Sequence, residues 1–515
     1  MLRLASLLFF FTFENVCDCA NILAVFPTPS ISHQIVFRPV MHELAKRGHQ
    51  VTIITPNPAF PKGKSPQNLT EIDVHEISYK IWEEFVTSEK GQENNAQEQI
   101  KLIFDILNSV FLEQLKSFEV QEFIFNKKKS FDLLFIETCI RPALSFSYIY
   151  KVPVIQMSSL GGIYGTFEST GAPTNPLLYP LPVRQKLNNL TIWEKISELR
   201  NQYNGEQVYE ELIISENKML KNIFGPDIPD IRELQKNVQM LFLNVHPIWD
   251  FNRPVPPNII YLGGLHQHSP KKLPQELQSY LDSSKNGVIY MSFGTNVKPS
   301  LLPAEKIQIF ANVFSQLPYN VLWKWNTDES PGKSENIKIS KWFPQADLLR
   351  HPNVKLFITQ GGLQSTDEAI TAGVPLIGVP MLGDQWFNVE QYVRLDIGIK
   401  LNLETITEDI LKNAIENIIN NKSYRQNIEK LRDKMHDQPQ TPLERAVWWT
   451  EYILRHGGAS HLQAAAAHMH WTEYYSIDIV LLLLSFLVIF LILTIFLIQF
   501  LMSKLEYVQF KKKVH

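Results

Sequence analysis

Between Phe357 and Gln385 the chain reads FITQGGLQSTDEAITAGVPLIGVPMLGDQ, and its polar groups come in an order that chemistry can use. An apolar run ends at Gln360, Gly361 and Gly362, after which a helix is predicted from Ser365 to Ala372. Two glycines let the backbone approach a ligand closely, and a helix start presents unpaired N–H groups with partial positive charge. A phosphate is the natural guest there. Ser365 adds a hydroxyl in the first turn, and Glu368, one turn further, is an acceptor able to take two hydroxyls of a ribose. Pro375 and Pro380 bracket a short strand that delivers Asp384 and Gln385, a carboxylate beside an amide, to sugar hydroxyls. Upstream, Trp342 offers a flat face for a base, with Gln345 in reach of its edge. The stretch SFGT, Ser292 to Thr295, ends another strand on Gly294 and the Thr295 hydroxyl, again fit for phosphate. Base, ribose, diphosphate and sugar contacts are thus predicted together in one part of the chain.

The other end of the chain places a histidine at a helix start, a position more often held by a cap or bystander than by a base. Ile22 to Phe26 reads as a buried strand, followed by a Pro/Ser turn and a helix carrying Val36, Val40, Met41 and Leu44 at helical spacing. Gly48 stops that helix and Val51 to Thr55 forms a second strand, which makes a strand-helix-strand unit. His33 sits at the helix start, where the positive helix end disfavours imidazolium and keeps the ring able to accept a proton. Glu137, at the end of the strand in SFDLLFIET, lies on the same sheet edge. There it can accept the ring's other N–H and fix the tautomer.

The elements that must position these groups form two sets. KVPVIQMSS adds a further strand to the first set, while the stretch from Pro61 to Asn126 is helix-rich and not otherwise assigned. NGVIYMSFGT, NVLWKW, IKISKWF, VKLFITQ and PLIGVP, alternating with helical segments, form the second set. The expected fold is therefore α/β, with two Rossmann-like parallel-sheet domains facing a cleft at their strand C-termini. The domains are placed at 21–250 and 279–440, joined by a Pro/Gly-rich linker at 251–278.

Length and composition agree. A chain of 515 residues exceeds one core, and a net charge of -3 gives no electrostatic footprint for nucleic acid. Residues 1–20 read as a secretory leader, with Arg3 before an apolar run and small residues near the cut. Of three cysteines, Cys17 and Cys19 belong to that leader, which leaves Cys139 with no partner for an intrachain disulfide. No Cys/His set has zinc spacing and no Asp-x-Asp pair is present, so no metal or cofactor is expected. After a segment at 441–475, residues 476–503 carry no charge beyond Asp478 and are long enough to span a bilayer. The basic tail at 504–515 belongs on the cytosolic side, which puts the body in the lumen. Asn68, Asn189 and Asn421 head glycosylation triplets. Lys512 and Lys513 resemble a dilysine retrieval signal for the endoplasmic reticulum.

The run WFPQADLLRHP, FITQGG, STDEAITAGVPLIGVPMLGDQ resembles the signature of the UDP-glycosyltransferase family, which includes animal UDP-glucuronosyltransferases. The likeness extends to SISHQ, AKRGHQVT, GGLH, SFGT, AVWWTEYILRHGGASHLQ, the span and the lysine tail, and so covers nearly the whole chain. It implies the two-domain GT-B arrangement and stacking of uracil on Trp342. It implies ribose at Glu368, diphosphate at Ser365 and Thr295, transferred sugar at Asp384 and Gln385, and His33 as catalytic base. It also implies that the acceptor binds domain 21–250 and the donor domain 279–440, and that the segment TPLERAVWWTEYILRH packs back on the first domain, with Trp448 and Trp449 as anchors. Two residues depart from the family pattern. Glu137 stands where many relatives have Asp, and Gln360 where many have a histidine, which shifts leaving-group stabilisation towards Ser365, Thr295 and N–H groups near Gly362.

The expected reaction is a single inverting displacement that moves a hexose from a UDP-sugar to a small lipophilic acceptor such as a phenol, polyketide or steroid. The product would be a β-O-glycoside or, on a phenol, a C-glycoside. No cation is evident for a glucuronate carboxylate, so UDP-glucose is favoured over UDP-glucuronate. An epimerase, a hydrolase and a catalytically impaired sugar-nucleotide binder are the competing classes, and self-association is left open.

Overall fold

The computed structural model describes residues 19–514 except 89–95, 126–129, 328–330 and 333. The leader therefore lies, up to residue 18, outside the described residues. Two parallel sheets organise the body. The first contains β1 (Asn21–Val25), β2 (Gln50–Thr55), β3 (Leu69–Asp73), β4 (Leu133–Glu137), β5 (Val154–Ser158), β6 (Val238–Leu243) and β7 (Ile259–Tyr261), in the order β3-β2-β1-β4-β5-β6-β7. The second contains β8 (Val288–Ser292), β9 (Asn320–Lys324), β10 (Ile337–Ser340), β11 (Val354–Thr359), β12 (Leu376–Gly378) and β13 (Gly398–Lys400), in the order β10-β9-β8-β11-β12-β13.

The central strands are short apolar runs such as ILAV, LLFI and VIYM because helices cover both faces and leave no solvent side to pay for with polar residues. Apolar layers accordingly lie on both sides of each sheet. Strand order reverses between β1 and β4 in the first sheet and between β8 and β11 in the second. At such a reversal the connections leave in opposite directions and open a crevice at the strand C-termini.

Four strands, β3, β6, β7 and β13, were not legible beforehand. Edge strands β3 and β13 carry polar or glycine positions, and β7 is three residues long inside the stretch expected as linker. The first sheet thus runs on to Tyr261, and the linker is correspondingly shorter than 251–278. The helix expected from Ser365 begins two residues earlier, at Leu363, with Gly362 as its N-cap. Helix Pro442–His456 does return to the first domain, but through Ala446, Val447 and Ile453 with Trp449 partly buried. Trp448 is exposed and is no anchor, because helical spacing turns it away from the contact face.

The domains are fastened to each other. Buried Trp249, from the end of the first domain, packs on Tyr392 and donates its indole N–H to Asn388 Oδ1 at 2.8 Å. Gln391 donates to the Trp249 carbonyl at 2.8 Å. Within the first domain, the 33-residue helix Ile192–Phe224 is tied to the loop after β4 by a buried bidentate pair, Arg141 to Glu216, which Asn108 also joins. Removing one member of a buried pair strands the other charge. Glu216→Ala should therefore cost about 3–5 kcal/mol in the urea unfolding transition of the first domain. Arg141→Met with Glu216→Leu should cost less, because it strands no charge.

Candidate active site

Each half of the site grows from one of the two sheet reversals. In the first sheet β1 leads through Ser30 into helix Ile31–Lys46, and His33 occupies its first turn. Glu137 is the last residue of β4, the strand beside β1, and is fully buried. His33 Nδ1 and Glu137 Oε1 are 2.6 Å apart, while Glu137 Oε2 accepts the Thr28 N–H at 3.2 Å. With both carboxylate oxygens engaged, the imidazole donates from Nδ1 and keeps its Nε2 lone pair as an acceptor. The longer Glu arm reaches the ring directly, so the departure from Asp costs no contact. Cys139 brings a third ligand-type atom within 4.8 Å of these two. Burial pushes its thiol pKa far up, which disfavours the thiolate a metal would need.

In the second sheet β8 leads into the SFGT turn and β11 into Gln360-Gly361-Gly362. Gly294 has φ +74°, and a side chain there would meet the Gln360 amide nitrogen at 2.2 Å. That amide also lies 3.1 Å from where a side chain on Gly362 would start, and its Oε1 accepts from Thr359 Oγ1. Gln360 therefore wedges the two glycine turns together and presents an N–H between them. Thr295 is exposed on the turn after β8, and Ser365 lies in the first turn of helix Leu363–Ala372.

Gln345 is placed differently from expectation. Its side chain turns inward, accepting from Tyr290 Oη at 3.0 Å and donating to Ser365 Oγ at 2.9 Å and Glu368 Oε2 at 2.7 Å. The amide is held by three protein groups and is not turned towards a base edge, because buried Tyr290 offers it a partner that sequence order does not reveal. Burial raises the Glu368 pKa to about 7, against the opposing effect of the Gln345 hydrogen bond. Trp342 is exposed, as a stacking platform must be.

Lys324, at the end of β9, was not anticipated. Its Nζ donates to the Gly294 carbonyl at 2.9 Å and lies 4.5 Å from the centre of the Trp342 ring. The available signal was a cation closing the strand next to SFGT. Burial lowers its pKa, while Glu368 acts to raise it.

Asp384 and Gln385 end the loop after β12. Asp384 Oδ2 accepts from Asn388 Nδ2 at 2.7 Å, and that amide also donates to the Gly361 carbonyl. Burial raises the Asp384 pKa to about 6, with the Asn388 hydrogen bond and the His33 charge pulling it down. Asp384 of the second domain is thus within electrostatic reach of His33 of the first. Gln385 is buried and its Oε1 accepts the N–H groups of Met381 and Leu382, so part of its amide shapes the loop itself. Three more bonds close the cleft: Gly383 N–H to Gln99 Oε1, Ser30 Oγ to Asn296 Oδ1, and Gln364 Nε2 to the Ser159 carbonyl.

The family model described as UDP-glucoronosyl and UDP-glucosyl transferase matches residues 21–514. The chain belongs to the UDP-glycosyltransferase family. An ecdysteroid UDP-glucosyltransferase of Lymantria dispar multicapsid nuclear polyhedrosis virus is 37% identical over 90% of this chain and 93% of its own. UDP-glucosyltransferase 2 of Dactylopius coccus is 34% identical over 94% of this chain and 93% of its own. Among solved structures, the calicheamicin glycosyltransferase shares the fold with a TM-score of 0.57 at 16% identity, covering 85% of this chain and 99% of its own. A UDP-glucose: anthocyanidin 3-O-glucosyltransferase in complex with UDP does so with a TM-score of 0.57 at 17% identity, covering 84% and 99%. The two-sheet body is thus of the GT-B type, and this UDP-glycosyltransferase binds a UDP-sugar and transfers its hexose.

A carboxyl with a pKa near 7 gives a pH-dependent binding step if it receives hydroxyl donors. Glu368 is largely neutral below that value and a full acceptor above it. UDP affinity, measured by calorimetry, should therefore strengthen as pH rises from about 6 to about 8. Glu368→Gln should weaken binding by about tenfold and flatten that dependence, an effect of the size of one or two charged hydrogen bonds.

Proposed function

We propose that this enzyme transfers glucose from UDP-glucose, with inversion, to a hydroxyl of a small lipophilic acceptor. The observation that carries the reading is the 2.6 Å bond between His33 Nδ1 and Glu137 Oε1, placed opposite Asp384. His33 Nε2 takes the acceptor proton as the oxygen attacks the anomeric carbon, and Glu137 stabilises the imidazolium that forms. UDP leaves towards the first turn of helix Leu363–Ala372. There the backbone N–H groups, Ser365, Thr295 and the Gln360 amide offer donors to the diphosphate, so the step needs no metal. Trp342 stacks on uracil, and Glu368 takes the ribose once Gln345 yields its hydrogen bond. Asp384 holds a sugar hydroxyl, with Gln385 shaping its loop. An α-linked donor then gives a β-O-glycoside.

Glucose is favoured over glucuronate because Lys324 lies against Gly294 and Trp342, on the nucleotide side, whereas the sugar end is marked by the Asp384 carboxylate. A donor carboxylate would face that acid. The relatives named as UDP-glucosyltransferases point the same way. For the acceptor, Ile100, Phe104, Tyr164, Val208, Tyr209 and Leu212 line a small apolar cavity in the first domain, too narrow as it stands for a steroid. Ile100 follows Gln99, whose side chain bonds Gly383 beside Asp384, so the apolar lining adjoins the sugar end of the cleft. Relatives named for ecdysteroids make a steroid-like polyol a suitable first acceptor to test.

Helix Ile477–Phe510, with mean hydropathy 3.3, supports a single-pass anchor. A lumenal body on the endoplasmic reticulum membrane follows from the basic tail. For glycosylation, Asn421 and Asn189 are exposed, whereas the Asn68 amide donates to the Ala45 carbonyl and is less available.

The test is turnover by the membrane-bound enzyme with labelled UDP-glucose or UDP-glucuronate and a panel of steroid and phenolic acceptors, with the anomeric configuration of the product read by NMR. His33→Ala should lower kcat by about 10²–10⁴-fold with little change in UDP affinity. Glu137→Ala should lower it by at least about tenfold and Glu137→Asp by less. Retention of configuration, or full activity without His33, would refute the mechanism.

A further inference from the structure

The turn between β1 and helix Ile31–Lys46 is held by more bonds than a connection of its length requires. It reads Phe26-Pro27-Thr28-Pro29-Ser30, and all five residues are buried. Proline has no N–H, so within Pro27-Thr28-Pro29 only Thr28 carries a backbone donor. That single donor goes to Glu137 Oε2 at 3.2 Å.

Three successive carbonyls of the turn are met by two buried glutamine side chains. Gln34, next to His33 in the helix, donates from Nε2 to the Phe26 carbonyl at 3.0 Å and to the Thr28 carbonyl at 3.1 Å. Its Oε1 accepts from Thr55 Oγ1 at 2.9 Å. Gln114, on helix Ala96–Lys116, donates from Nε2 to the Pro27 carbonyl at 2.8 Å and to Ser78 Oγ at 2.8 Å. Gln34 is 2% exposed and Gln114 1%. A carbonyl can only accept, so each amide is oriented one way round. The two arrive from opposite faces of the first sheet. Helix Ile31–Lys46 packs in the layer that holds Ile22 and Ala24 of β1, and helix Ala96–Lys116 in the layer that holds Leu23 and Val25.

We infer that Gln34 and Gln114 are positioning residues for the transfer step. By clamping the turn from both faces they hold the Thr28 N–H against Glu137 Oε2, which aims Glu137 Oε1 at His33 Nδ1. Glu137 has one more side-chain torsion than an aspartate, so its carboxylate has more freedom to be held. The inference rests on the reading of His33 as general base with Glu137 as its partner. Loosening the clamp leaves Glu137 buried but frees its second oxygen, and His33 is then aligned for a smaller part of the time. The loss falls on kcat rather than on UDP affinity, because the nucleotide groups lie in the second domain. The same turn does reach that domain once, through Ser30 Oγ to Asn296 Oδ1 at 3.3 Å.

The test is a double-mutant cycle on the membrane-bound enzyme. Turnover of labelled UDP-glucose, or of UDP-glucuronate where that is the faster donor, is counted per UDP-binding site found by calorimetry. Gln34→Met keeps the side chain's length and removes its three hydrogen bonds. It should lower kcat about three- to tenfold with UDP affinity unchanged. In a Glu137→Ala background the same substitution should change kcat by less than about twofold. Gln114→Met acts from the other face and should repeat the pattern, which keeps the test decisive where Gln34→Met does not fold. A loss of equal size in both backgrounds shows that the clamp acts on something other than Glu137; it overturns the inference and leaves the mechanism standing. Weaker UDP affinity at unchanged kcat also overturns it, and assigns the turn to the Ser30–Asn296 contact instead. Unchanged kcat and affinity in both variants overturn it as well. Full activity of His33→Ala removes the mechanism and the inference together.

Discussion

Everything in this enzyme depends on a geometric consequence of parallel sheets: where strand order reverses, the adjoining connections diverge and leave an opening. The first sheet opens between β1 and β4, and there His33 and Glu137 meet. The second opens between β8 and β11, and there the SFGT turn and the Gln360 turn meet. Neither opening is a complete site. Catalysis requires that the two face one another, and the Trp249 to Asn388 and Gln391 contacts hold them so. Hydrogen bonds from Ser30 to Asn296 and from Gly383 to Gln99 join the halves beside these openings.

The polar groups of the second domain satisfy one another. Gln345 fills the acceptor sites of Ser365 and Glu368, and Lys324 covers the Gly294 carbonyl and leans over Trp342. Buried polar groups without partners are costly, so a site built for a polar ligand needs internal stand-ins that the ligand can displace. Glu368 and Asp384 remain easier to protonate than surface carboxylates because burial outweighs these hydrogen bonds. The two departures from the family pattern find local accommodation. Glu137 spans the distance to the ring and still accepts from Thr28, and Gln360 replaces a charge with an amide that locks two glycine turns.

The C-terminal segment passes across the first domain, through Ala446, Val447 and Ile453 and then at Gly171, on its way to the apolar helix Ile477–Val514.

The sequence by itself determined the parts whose physics is local. Apolar runs bounded by Gly and Pro predicted β1, β2, β4, β5, β8, β9, β11 and β12, since a strand buried on both faces has no other composition open to it, and the alternating IKIS of the half-buried edge strand β10 was legible as well. The glycine turns and the charge-free C-terminal helix were legible for the same reason. Their constraints act within a few residues. The tertiary structure alone decided what depends on partners distant in the chain. Edge strands β3 and β13 and the short β7 have little sequence signature, because a neighbour's hydrogen bonds define them. The inward turn of Gln345 depends on Tyr290, and Lys324 gains its place only when β9 lies beside β8. Trp448, expected to anchor, is exposed because the face a helix buries is chosen by what packs against it. Hydrophobic pattern and backbone freedom are written in order along the chain, but a polar side chain's partner is written in three dimensions.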